Sequence, residues 1–137
     1  MKKILLTFLM CLLAISAKSE IYTYVGTSYA VAKVTRHNNY HWSDWYECDV
    51  LIVIDTERKM VGIDSYEPQI YKIYKYEGQI DEDNGFQKVF YVEDIKKDYG
   101  QMRIRVLTDS FGNIINVQLY VDFKNVAWVY NIYEILL

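Results

Sequence analysis

Apolar and polar positions alternate with a period of two along most of the chain. Ile115, Val117, Leu119 and Val121 alternate with Asn116, Gln118, Tyr120 and Asp122, the pattern of a strand with one buried and one wetted face. Met102, Ile104 and Val106 oppose Arg103 and Arg105 in the same way. Tyr71 and Ile73 oppose Lys72, Tyr74 and Tyr76, and Val89 and Tyr91 oppose Phe90 and Val92. Val50 to Ile54 is instead a continuous apolar run, mostly branched at Cβ. It is too short for a typical buried helix, and its branching favours the pleated backbone. It predicts a strand apolar on both faces, central or beneath a covering segment. Asp55 to Lys59 turns the chain, and Val61 and Ile63, alternating with Gly62 and Asp64, form the second arm of a hairpin spanning Cys48 to Ser65. The wetter second arm is expected nearer an edge or a barrel mouth.

The remaining segments repeat this device. Glu20 to Val34 reads as one long bent strand or two short ones, with Gly26 as a bulge or corner. Thr35 to Glu47 is polar and aromatic without a clean period, and is expected to be irregular, with a helical turn opened by Ser43. Pro68 breaks the chain. An acidic loop from Glu77 to Phe86 contains the turn dipeptide Asn84-Gly85, and Asp109 to Asn113 places Gly112 where positive φ is needed. Asp98-Tyr99-Gly100 and Lys124-Asn125 supply further turns, and Val126 to Leu137 is the last strand. About eight strands at short spacing define an all-β antiparallel meander, closed into a small barrel or strongly curved. Closure is favoured because a bare edge as apolar as Trp128 to Tyr133 would invite aggregation.

The first residues change the setting. Met1-Lys2-Lys3, the apolar run Ile4 to Ile15 and the small residues that follow have the three parts of a secretory leader, residues 1–19, with cleavage after Ser16 or Ser19. The run is shorter than the roughly 20 residues that span a bilayer, so the mature single domain, 20–137, is expected in the periplasm or secreted and not integral to a membrane. Losing Lys2, Lys3 and Lys18 leaves about twelve basic against 18 acidic side chains. That balance disfavours a nucleic-acid partner. Cys11 leaves with the leader, so Cys48 has no internal disulfide partner, and the fold rests on its core.

Candidate chemistry is sparse. His37, His41 and Cys48, with Asp44 or Glu47, are types that zinc accepts, but their spacing is loose. The same Cys and His residues are a weak nucleophile pair, since a cysteine heading a core strand behaves as a small hydrophobe. Asp81 to Gly85 misses the glycine and glutamate positions of a calcium loop. Paired carboxylates of a glycoside hydrolase could be drawn from the many acids, but abundance is no pattern. No nucleotide-binding or hydrolase-elbow pattern occurs, and no cofactor is implied. The anomaly is aromatic: 14 tyrosines and three tryptophans follow the leader. Tyr40, Trp42, Trp45 and Tyr46 cluster in the irregular segment and are the candidate ligand- or partner-binding residues.

In length, strand number and meander order the mature chain resembles the eight-stranded barrels of the lipocalin or calycin type, although Gly26-Thr27-Ser28 stands where that family has Gly-x-Trp. Trp45 to Asp55 and Tyr120 to Asn131 are similar to segments of small exported proteins of gut-type bacteria, which implies export and no particular mechanism. The expected function is a non-catalytic binding module for a small apolar ligand, a glycan or a protein. The alternatives are an envelope interaction or inhibitor protein acting through a strand edge or the aromatic loop, and a small hydrolase or metal-binding protein.

Overall fold

The structure, a computed structural model, describes residues 21–35 and 39–135 of the chain. The leader and His37 lie outside the described residues. Nine strands follow in order: β1 (Ile21–Val34), β2 (Tyr40–Trp42), β3 (Tyr46–Asp55), β4 (Met60–Asp64), β5 (Gln69–Glu82), β6 (Gly85–Glu93), β7 (Tyr99–Thr108), β8 (Ile114–Asp122) and β9 (Val126–Glu134). Every pairing is antiparallel, and from β3 onward each strand pairs with the next. β9 then pairs with β1 from Tyr24↔Glu134 to Lys33↔Val126, and the meander closes into an eight-stranded barrel. β2 is the additional strand, laid on the end of β1 beyond β3. Closure removes the barrel's long free edges, as the apolar last strand requires.

The lumen is packed. Ile52, Ile54, Val61, Ile63, Val92, Met102, Leu119 and Val121 are almost completely buried and, with Phe90, Ile104 and Tyr130, form one core cluster. These are the inward positions of the alternation. Arg103 and Arg105 point outward, to Asp122 and Glu82 at 3.1 Å each. β1 bulges between Gly26 and Ser28 in its ladders with both neighbours, so Gly26 is the corner the sequence predicts.

Several expectations are corrected. No helix occurs among the described residues. Ser43 does not open a helical turn: its amide donates to Val31 O at 2.8 Å and its hydroxyl accepts from Val31 N at 3.0 Å. The supposedly irregular segment therefore contains β2, bonded to β1 like any ladder strand. Of the two placements expected for β3 the central one holds, since it lies between β1 and β4, and its outer face is uncovered, with Leu51 exposed. β4 is a wall strand between β3 and β5. The acidic loop is much shorter than expected, because β5 and β6 run on until only Asp83 and Asn84 separate them.

Candidate functional site

The connections β4–β5, β6–β7 and β8–β9, together with the β1–β2 end, gather at one mouth of the barrel, here the upper mouth. Between them lies a cleft of about 570 Å³, within the range of small-ligand sites. Its floor is aromatic. The Tyr71 and Phe123 rings are 5.7 Å apart, and Phe123 meets Trp128 edge-on at 6.3 Å. Gly100 makes room for this arrangement: a Cβ there would lie 2.7 Å from Asp122 O and 2.8 Å from the Phe123 ring.

Gln69 also lines the cleft. Its amide nitrogen donates to Ser65 Oγ and to the Tyr130 hydroxyl, each at 3.3 Å, and its amide oxygen accepts from the Tyr71 hydroxyl. Burial raises the pKa of Tyr71, helped by Tyr130 and Asp94. Burial also raises Tyr130, and the Gln69 hydrogen bond partly offsets it. Both hydroxyls are therefore neutral at ordinary pH and serve as hydrogen-bonding groups.

The rim is polar and built on a fixed loop. Asp94 Oδ1 accepts from Lys96 N and Asp98 N, both at 2.9 Å, and Asp94 N donates to Asp98 O at 3.0 Å. Lys97 completes the turn at φ 66°. Asp94, Asp98, Lys124 and Asn125 thus stand around an aromatic floor. Such a site offers an apolar aromatic wall beside hydrogen-bonding side chains.

The four aromatic residues singled out in the sequence do not converge. Tyr40 and Trp42 stack on the outer wall, with centroids 5.9 Å apart and planes 9° off parallel. Trp42 meets Tyr120 edge-on at 6.5 Å, and Arg103 lies 4.8 Å above the Tyr120 ring. Burial raises the Asp122 carboxyl pKa, and its partner Arg103 pulls it back only in part. Tyr46 turns to the upper rim, 5.5 Å from Tyr29, whose ring is 6.1 Å from Tyr130. Trp45 is half exposed.

His41 is exposed on β2. Cys48 is half-buried, its thiol donates to Gly26 O at 3.5 Å, and burial, with Asp49, raises its pKa. That shift is opposite to the one an activated nucleophile needs. No group of three His, Cys, Asp or Glu side chains suited to a metal occurs among the described residues.

Gln69, Phe123 and Trp128 were not singled out from the sequence. The alternation of Val117, Leu119 and Val121 does carry Phe123 onto the inward face. The apolar last strand predicts closure; what the sequence lacks is the β1–β9 register that decides which strand ends meet at one mouth. No family model, curated protein or solved structure matches the chain.

Proposed function

We propose that the protein is an exported, non-catalytic binding module that holds a saccharide at the upper mouth of its barrel. One observation carries this reading: the 570 Å³ cleft has Tyr71, Phe123 and Trp128 as its floor and Asp94, Asp98 and Asn125 at its rim. Aromatic faces suit the apolar face of a sugar ring, and carboxylate and amide groups suit its hydroxyls. The packed lumen favours the mouth over a deep internal calyx. Native mass spectrometry of the protein purified from its own envelope, set against its denatured mass, tests the reading. Extra native mass equal to a saccharide supports it, and a bare monomer mass counts against a stable complex.

A second reading rests on β2. This three-residue strand ends the sheet order and presents the Tyr40–Trp42 stack beside it. An exposed strand edge next to a stacked aromatic pair suits addition of a partner's strand. Trp42→Ala would then abolish capture of a protein partner and leave saccharide binding intact.

A further inference from the structure

The upper cleft does not end at its rim. Tyr99, Phe123 and Lys124 line it, and the same residues line a shallow groove of about 370 Å³ on the outer wall. The groove is built on a cross-strand row. Tyr91 pairs with Gln101, and Gln101 pairs with Asp122, whose carboxylate meets the outward Arg103 at 3.1 Å. Directly opposed side chains share a face of the sheet, so Tyr91, Gln101 and Asp122 all stand on the outer wall. Gly100 also lines the groove, and its missing side chain lets the Phe123 ring come up against the backbone, where a Cβ would lie 2.8 Å from it. Phe123 is thereby reached from both spaces.

Three tyrosines wall the groove. Tyr74 is the extra residue of the β5 bulge between Ile73 and Lys75, and the ladder with β6 gives it no opposed residue. Its ring meets Tyr99 edge-on at 5.4 Å and Tyr91 at 6.2 Å. Tyr74 and Tyr99 are each half exposed or more. Core packing therefore does not account for the cluster, and a contiguous exposed aromatic patch marks a contact surface. Gln101, Asp122 and Lys124 set amide, carboxylate and ammonium groups beside the rings. The chemistry of the upper cleft, aromatic faces next to hydrogen-bonding groups, is repeated on the other side of a shared rim.

We propose that this groove is an outer subsite of the upper cleft, and that the ligand is an unbranched oligosaccharide whose chain leaves the cleft, crosses the rim at Tyr99 and Phe123, and continues over Tyr74 and Tyr91. The inference rests on the saccharide reading of the cleft and adds the length of the ligand to it. The first units meet Tyr71, Phe123 and Trp128, and later units add the outer contacts. Affinity should therefore rise with chain length.

Isothermal titration calorimetry with maltose, cellobiose and chitobiose, each set against its hexaose, tests this. At least one series is expected to bind, the hexaose tighter than the disaccharide by roughly tenfold or more, as one or two added aromatic contacts imply. Tyr74→Ala and Tyr91→Ala should each remove most of that gain and leave the disaccharide affinity unchanged. A hexaose no tighter than its disaccharide, or a gain that survives in both variants, overturns the outer subsite and leaves the saccharide cleft standing. No binding by any of these sugars overturns the outer subsite and counts against the saccharide reading as well. Where a variant fails to fold, amide NMR of the ¹⁵N-labelled wild-type protein decides. Hexaose shifts that reach residues 91 and 101 support the subsite, and shifts confined to the cleft overturn it.

Discussion

Gln69 and Tyr130 meet at 3.3 Å across the lumen, on β5 and β9, which are not neighbours in the sheet. The contact joins opposite walls beneath the upper cleft. Tyr130→Phe keeps the packing and removes one acceptor, so it should destabilise the fold by about 1 kcal/mol. A double-mutant cycle with Gln69→Ala, read from urea unfolding midpoints, should show coupling between the two changes. Strict additivity would mean that the bond contributes nothing.

Gly26 turns β1 at a point where nothing larger fits. A Cβ there would lie 2.7 Å from Val50 Cγ2 and 3.4 Å from the Tyr130 ring. Gly26→Ala should therefore destabilise by roughly 1–3 kcal/mol. Val50→Ala in the same chain should recover part of the loss, because it removes the clashing methyl. A Gly26→Ala protein as stable as wild type would show that the bulge can simply shift.

Alkaline pH should loosen the barrel. Burial pushes the Tyr24 hydroxyl up to about 12, with Glu134 and Tyr76 adding to it. Its folded pKa thus lies above the unfolded value near 10, so its contribution is fully present below pH 10 and is lost as pH rises through 12. Tyr71 and Tyr130 shift in the same direction. Denaturant midpoints should hold steady to about pH 9 and then fall. Tyr24→Phe should reduce that fall by roughly 2 kcal/mol at pH 12. An unchanged pH profile in Tyr24→Phe would contradict this assignment.

Lys97 and Gly112 occupy the same place in two similar loops. Asp109 Oδ1 accepts from Phe111 N and Asn113 N as Asp94 Oδ1 does from Lys96 N and Asp98 N. The φ angles are 66° and 83°. Lysine is strained at that angle and glycine is not, although glycine loses more chain entropy on folding. Lys97→Gly should stabilise the protein by up to about 1 kcal/mol, visible as a higher melting temperature. A lower one would mean that the Lys97 side chain contributes contacts outweighing the strain.

The strands were legible because burial here follows the simple alternation. Met102, Ile104 and Val106 are buried, as their spacing predicts. β2 was not legible, because three residues carry no period and its pairing depends on Ser43 bonding back to Val31. Ile115 shows the opposite failure. It continues an inward row yet is exposed near the lower mouth, where the barrel wall ends. For the same reason the aromatic cluster Tyr40 to Tyr46 is one patch in sequence and is divided in space. Side chains two apart on β2 share the outer wall, whereas Tyr46, past the Ser43 break, joins the rim. Closure was legible in the apolar last strand, but the upper floor needed its β1–β9 register, a long-range fact that no local pattern encodes.

The most direct test of the account is fluorescence of Trp128 in a Trp42→Phe, Trp45→Phe protein, titrated with a panel of neutral and acidic oligosaccharides. Trp128 is then the only tryptophan and reports from the cleft floor. The expected result is a saturable change with at least one saccharide, abolished by Phe123→Ala in a protein that still melts cooperatively. A flat response across the panel, or a response that survives Phe123→Ala unchanged, would contradict a saccharide site at the upper mouth.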